Sequence, residues 1–383
     1  MANTLTSLIP TIYEAIDVVS REMVGYTAAA TRNMSAERAA LNQSILVPLT
    51  PAGTAADNTA AVTPPNTGDN TIANVEMAIS KSRHVPIRWN GEEVRGGVNA
   101  GWFATVLRQQ FAQAMRTLVN EMEADGHAAA YKAASRAYGT AGTAPFGTAA
   151  DLTDLSNTAR VLDDNGAPAG DRRLVLGSAA VANLRGKQSI LLKQNEAGTD
   201  RLLRTGMIST DPLMGFGLHY SGAVGVHTKG TGASYLANGA VSVGGTAITV
   251  DTGSGTILAG DIVTYAADSA NKYVVGTALA STIFSVNAPG VLVAVPDNNA
   301  ITVGNNYTPN VAFSQSALQF IARLPALPPG GDAATDVTTV VDPVSGMAFE
   351  VAEYKQFMQT SYHVRAAWGW KCVKPNHVAI LIG

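Results

Sequence analysis

Residues 98–138 read VNAGWFATVLRQQFAQAMRTLVNEMEADGHAAAYKAASRAY, and within them Phe103, Leu107, Phe111, Ala114, Leu118 and Met122 recur at spacings of three or four. That period lays one apolar stripe along a helix, with Arg108, Gln109, Arg116, Asn120 and Glu123 off the stripe. Running unbroken to about Ala137, the helix would span roughly 55–60 Å at about 1.5 Å per residue, more than most single domains have room for. Gly126 is its weak point, costing about 1 kcal/mol relative to Ala, so a kink is expected there.

The stretch before it, from Asn42 to Asn90, cannot be helical through most of its length. Pro48, Pro51, Pro64, Pro65 and Pro86, with Gly53 and Gly68, break any helix and leave the chain extended. Two strand patterns flank a polar middle: Ser44 to Thr50, and Ile72 to Trp89, where Val75, Met77 and Ile79 alternate with Asn74, Glu76 and Ala78. The expectation is a long two-stranded ribbon. A lone ribbon is marginally stable in water, and its tip, Thr54 to Asn70, has little to bury, so something outside it must hold it. The alternative is a long surface loop with no partner.

At 383 residues the chain can bury a full core and should hold two or three subdomains. A formal charge of -3 with only 14% charged residues argues against a strongly basic nucleic-acid surface, so any DNA contact should be weak. Low charge and 37 glycines suit surfaces that become buried between subunits, where charged residues are depleted. The single Cys372 cannot form an intrachain disulfide and reads as a small buried residue. No segment approaches the roughly 18 consecutive apolar residues of a membrane helix, and the first residues lack the basic-then-apolar order of a signal peptide, so a soluble cytoplasmic product is expected.

Near the start, Thr11 and Glu14 form a T-x-x-E capping box, with Leu8, Ile12, Ile16, Val19 and Met23 on one helix face. This reads as an amphipathic arm or as a first helix packed on its own domain. From Asp151 a mixed α/β region is expected: a helix to Leu162, a turn through Asn165, Gly166 and Pro168, a strand Arg173 to Leu176 and a helix Ser178 to Leu184. Between about Gly232 and Asn310 the period switches to strands, at Ala240–Val243, Ala247–Val250, Asp261–Tyr265, Tyr273–Thr277, Ile283–Val286, Val291–Val295 and Ala300–Val303, as in a small sandwich or barrel. Helix-like patterning resumes at Phe313 to Leu324, which makes the β unit an insertion. After the hinge of Pro325, Pro328, Pro329, Gly330 and Gly331, strands return at Thr338–Val341, Met347–Tyr354, Ser361–Cys372 and Ala379–Ile382, the first two joined by a turn from Asp342 to Gly346.

Catalytic motifs do not assemble. Asp251-Thr252-Gly253-Ser254 matches the D-T-G-S loop of aspartic proteases, which need two such carboxylates sharing a proton; the chain has one copy, and a dimer would have to supply the other. Gly253 and Gly255 explain the segment as a β-turn. The histidines, at 84, 127, 219, 227, 363 and 377, show no metal-ligand spacing. Phosphate-binding glycine loops and a G-x-S-x-G elbow are also missing, and no cofactor is expected.

The order of these elements resembles the major capsid protein of tailed bacteriophages of the Hong Kong 97 type, and within it the Salmonella podophage coat-protein subgroup with an inserted β domain. Three runs carry the resemblance: Pro10-Thr11-Ile12-Tyr13-Glu14-Ala15, Ser35-Ala36-Glu37-Arg38-Ala39-Ala40-Leu41-Asn42 and Pro86-Ile87-Arg88-Trp89-Asn90-Gly91-Glu92-Glu93. It implies an α+β fold with an N-arm at 1–40, an extended E-loop at 41–90, and a peripheral domain with the spine helix at 91–150 and 332–383. It further implies an axial domain at 151–231 and 311–331 and a small antiparallel β-barrel inserted at 232–310. The implied function is a structural shell subunit, not an enzyme, forming hexamers and pentamers of itself. Its implied partners are a scaffolding protein, a portal protein and weakly contacted double-stranded DNA, in the virion and, during assembly, the host cytoplasm. Candidate inter-subunit contacts are Asp57, Asp69, Arg83, Trp89, Asp268 and Lys272, the last two on a polar turn where they form either an ion pair between capsomers or a solvated hairpin tip. The Lys–Asn cross-link of some members is not carried over, because the E-loop holds one lysine, Lys81, away from the tip. Two other readings are a dimeric D-T-G-S hydrolase and a tail-tube or decoration protein, the latter leaving the long helix unexplained.

Overall fold

The computed structural model describes residues 9–20, 25–49, 55–60, 62–63, 73–148, 151–186, 212–342 and 346–383. The chain begins with α1 (Ile9–Ser20) and a single turn, α2 (Tyr26–Ala29), followed by an extended strand, β1 (Thr31–Ala39). Thr11 lies inside α1, not at its start, and Glu14 takes the Arg108 guanidinium at 2.9 Å. Ile12, Ala15 and Ile16 are buried in the core shared with the long helix, so α1 packs on its own chain.

A two-stranded ribbon forms, but its second strand ends at Ala78 and does not run on to Trp89 as expected, because residues 81–90 pair with a strand of the body. β2 (Ser44–Leu49) pairs antiparallel with β3 (Ala73–Ala78), from Ser44 opposite Ala78 to Leu49 opposite Ala73. At Ile79 and Ser80 the chain leaves the ribbon and enters β4 (Lys81–Asn90). Pro86 cannot donate to a ladder, and β4 accordingly sits on a sheet edge.

A capping box between Asn90 and Glu93 starts α3 (Gly91–Asn99), after which Ala100 to Trp102 turn the chain into α4 (Phe103–Lys132). At 30 residues α4 is about 45 Å long, and Leu107, Phe111, Ala114, Leu118 and Met122 are buried along the expected stripe. The helix is shorter than the expected unbroken run to Ala137. Asn287 Nδ2 donates to the Lys132 and Ala134 carbonyls, both at 2.8 Å, and satisfies the end of the helix, after which Arg136–Gly139 form strand β5. α4 also runs through Gly126 without a break. A Cβ there would lie 2.7 Å from the Trp370 ring, so this glycine makes room for an indole where a kink was expected.

Next come α5 (Thr153–Asp164), β6 (Arg172–Leu176), α6 (Ser178–Arg185) and β7 (Phe216–Tyr220), matching the expected mixed region. Six short strands follow: β8 (Tyr235–Ala237), β9 (Ala247–Asp251), β10 (Ile262–Tyr265), β11 (Asp268–Ala280), β12 (Ile283–Val286) and β13 (Ala300–Val303). Their antiparallel pairings run β10 to β13, β8, β9, β12, β11 and back to β10, which closes a barrel around Ile248, Val263, Tyr273, Val275 and Phe284. The segments at Ala240–Val243 and Val291–Val295 are not strands of the barrel. They are joined by a bridge between Val241 and Val295 and add these side chains to the barrel core.

The helix-like pattern at Phe313–Leu324 is two strands. β14 (Pro309–Ser314) lies between β6 and the C-terminal β19 (Val378–Ile382), and β15 (Leu318–Pro325) lies between β1 and β18 (Gln359–Cys372). Both faces of each are covered, so their apolar residues are nearly continuous, and a short 3-10 turn at Gln315–Ala317 carries the chain from one sheet to the other. β16 (Asp336–Val341) and β17 (Ala348–Gln356) complete the first sheet. Of the turn expected at Asp342–Gly346, residues 343–345 lie outside the described residues. The protein is thus an α+β fold in which α4 packs across β18 and β4, and the barrel joins the sheet of β5, β19, β14, β6 and β7 where Lys272 and Tyr273 of β11 pair with Ala137 and Arg136 of β5.

Candidate assembly surface

The described part of the ribbon has little of its own chain to rest on. Among its described residues Leu46 is 56% exposed, Asn74, Glu76 and Ala78 face solvent, and residues 55–60 are exposed. Among the described residues the cover lies at its root, where Met77 and Ile79 are buried with Ala39, Ile321 and Ala367. Backbone bonds fix the root: Asn42 N donates to Ile79 O at 2.9 Å, Ile79 N to Gln43 O at 3.1 Å, and Ser80 N to Trp368 O at 2.9 Å. Gly369 is required beneath it, because a Cβ would lie 2.1 Å from the Ala78 carbonyl oxygen.

Farther along β4 a groove of about 270 Å³ runs between β4 and α4, lined by Val85, Pro86, Ile87, Arg88, Gln110, Gln113, Ala114 and Thr117. One edge of β4 pairs with β18 from Asn90 opposite Gln359 to Lys81 opposite Trp368. No described strand pairs with its other edge. Residues 42–80 carry Asp57, Asp69 and Glu76 and no lysine or arginine, whereas β4 presents exposed Arg83 and Arg88.

The candidate contact residues fall in different surroundings. Asp57 is exposed on the ribbon, and Asp69 lies outside the described residues. Arg83 is more than half exposed and reaches Glu121 of α4 at 3.4 Å. Trp89 packs within its own chain against Trp102 and Phe103, with Nε1 donating to Gln110 Oε1 at 2.8 Å. Asp268 and Lys272 are not on a solvated tip. Asp268 is buried and accepts from the Tyr273 hydroxyl and from Asn271, while the Lys272 ammonium donates to the Gly139 carbonyl. Burial pushes the Lys272 ammonium down and, with the Asp268 bond, pushes the Tyr273 hydroxyl up to about 12. Both side chains are engaged where the barrel meets β5 and do not form an exposed ion pair.

Several residues here carry no motif. Lys81 donates to Glu121 Oε1 at 2.9 Å and Asp125 Oδ1 at 2.8 Å, and although burial acts to lower it, those two bonds hold its ammonium above the ordinary value. Glu123, on the buried side of α4, accepts from Tyr26 N at 2.8 Å, Thr27 N at 2.7 Å and Ser221 Oγ at 3.0 Å, fastening α2 to the helix. At the β17–β18 turn Phe357 is 91% and Met358 67% exposed, where two-residue turns favour Asn-Gly; Met358 sits at φ +55°. Asp251 ends β9, and its Gly253 lies against Tyr235, where a Cβ would come within 2.2 Å of the ring. The D-T-G-S match is a barrel turn. Among the described residues, no group of three or more His, Cys, Asp or Glu is placed to hold a metal ion, and no helix is long and apolar enough to cross a membrane.

No family model and no curated protein matches the chain. Similar solved structures include the capsid structure of the cyanophage P-SCSP1u, at 9% identity and TM-score 0.49 over 92% of this chain and 86% of that one. Another is a structure from Mycobacterium phage Che8, at 14% identity and TM-score 0.42 over 89% and 84% of the two chains. A third is the mature capsid of bacteriophage PhiM1, at 8% identity and TM-score 0.43 over 94% and 86%. At these scores the likeness assigns no function, and the surface itself has to carry it.

Proposed function

We propose that the chain is a structural subunit of a closed protein shell of the Hong Kong 97 type, built from copies of itself around a phage genome. The observation that supports this best is the ribbon: a rooted, two-stranded element whose described residues beyond the root are largely exposed on their own chain. Such an element gains stability by lying on a second body, adding backbone and small apolar contacts in place of the core it lacks. The groove beside β4 suits that role in the neighbouring copy. It offers a strand edge that no described strand pairs with, an apolar floor and exposed arginines to an acidic ribbon.

In this assignment residues 1–40 are the N-arm, 41–90 the E-loop, and 91–150 with 332–383 the peripheral domain. Residues 151–231 with 311–331 form the axial domain and 232–310 the inserted barrel. Asp57, Asp69, Arg83 and Arg88 are the proposed inter-subunit charges. Trp89 holds β4 against α4 within its own chain. Each contact can be weak, since closure of a shell multiplies it and the low net charge limits repulsion between copies. Scaffolding protein, portal and packaged DNA are the proposed further partners.

Deleting Gly53 to Thr67 removes the tip and leaves the root intact. The shortened chain should keep the parent's circular dichroism and melting profile yet sediment as monomers or small capsomers under conditions where the parent closes particles. Normal particles from the deletion would refute the assignment.

A further inference from the structure

At Ile79 and Ser80 the chain changes partners: among the described strands, β3 pairs with β2 alone and β4 with β18 alone. Those two residues are therefore the pivot between ribbon and body. One side of the pivot is held by apolar packing, with Met77 and Ile79 on Ala39, Ile321 and Ala367. The other side is held by charge.

Trp368 serves both neighbours of the pivot. Its carbonyl accepts Ser80 N at 2.9 Å, and its indole Nε1 donates to Asp125 Oδ2 at 2.9 Å. Asp125 Oδ1 then accepts Lys81 Nζ at 2.8 Å, and Glu121 Oε1, one helical turn earlier, accepts it at 2.9 Å. Two carboxylates four residues apart on a helix repel unless a cation stands between them, and Lys81 stands there. Arg83 adds its Nε at 3.4 Å from Glu121. Lys81, Glu121 and Asp125 are each about a quarter to a third exposed, so the network is shielded from water only in part and stays open to salt.

We propose that Lys81 is an ionic latch that sets the direction in which the ribbon leaves the body, by pinning the Ile79–Ser80 pivot to α4 through Glu121 and Asp125. A ribbon held at one angle loses less freedom when it docks than one that swings, so the latch prepares the monomer for association. Its value to assembly rests on the shell-subunit reading. Its test does not.

Spin labels at Asn74→Cys on the ribbon and Gln109→Cys on α4, in a Cys372→Ala background, report the ribbon angle in unassembled monomer by pulsed electron resonance. The parent should give one narrow distance distribution. Lys81→Met should lose it, Lys81→Arg should keep it, and Glu121→Gln with Asp125→Asn should reproduce the loss. Raising salt to about 1 M should broaden the parent and leave Lys81→Met unchanged. A Lys81→Met chain that keeps the parent's narrow distribution overturns the latch. Should Lys81→Met fail to fold, the carboxylate pair and the salt series decide in the same way. A parent that shows the latch and never forms particles sinks the shell reading and spares the latch. A parent that assembles while Lys81→Met keeps its distance sinks the latch alone.

Discussion

Replacing Gly126 by Ala sets two effects of known size against each other. In a helix interior Ala is better than Gly by about 1 kcal/mol, so propensity alone would stabilise the variant. The new Cβ, however, would lie 2.7, 2.9 and 3.0 Å from three atoms of the Trp370 ring. That ring is not a loose side-chain end: it stacks on Phe320 at 4.4 Å between centroids, and Phe320 is fully buried. Overpacking against such a group costs about 1–3 kcal/mol, and the balance comes to about 1 kcal/mol of destabilisation. In a Trp370→Leu background the obstacle is gone and the same change should stabilise by about 1 kcal/mol. The coupling between the two sites is then about 2 kcal/mol, large enough for a double-mutant cycle to resolve. Urea unfolding of dilute monomer, followed by far-ultraviolet circular dichroism at constant m, measures all four chains. A Gly126→Ala chain that is more stable than the parent by the full propensity gain would refute the claim that this glycine exists to seat Trp370.

Two further consequences concern the polar groups under α4. Glu123→Ala leaves the Tyr26 and Thr27 amides and the Ser221 hydroxyl without their buried acceptor and should cost about 3 kcal/mol in the same assay, whereas a loss below about 0.5 kcal/mol would contradict that role. His127 is held neutral by burial, which lowers it to about 4, so its contribution to stability is complete above the unfolded value near 6.5 and is lost as pH falls from there to about 4. The loss is at most about 3 kcal/mol, and His127→Gln should flatten the pH dependence in that window without abolishing it, since His363 and His377 are lowered as well. An unchanged slope would count against the assignment.

What the sequence made legible followed local rules. The stripe from Phe103 to Met122 and the alternation around Met77 depend on neighbours three, four or two residues away, and both elements stand where those periods place them. What it hid was decided at long range. Nothing near Lys132 marks the end of α4, because the Lys132 and Ala134 carbonyls are satisfied by Asn287, 155 and 153 residues later in the chain. Phe313–Leu324 imitates a helix because both of its strands are covered on both faces, which erases the alternation a half-buried strand would show. Asp268 and Lys272 read as a polar tip, yet the strand they begin is clamped to β5. At the candidate surface the acidic ribbon and the arginines of β4 were visible as composition. The Lys81 network was not, since its acids come from α4, 40 and 44 residues later in the chain. Phe357 and Met358 escaped notice because their turn contains neither Gly nor Asn.

The most direct test of the central claim is electron cryo-microscopy of the purified full-length chain after assembly, alone and with a scaffolding protein. The account predicts closed icosahedral particles in which the ribbon of each copy crosses the β4–α4 groove of the next, with Asp57 on the side of Arg83 and Arg88. A homogeneous species of monomer or dimer size under every condition, or shells in which the ribbon folds back on its own chain, would contradict it.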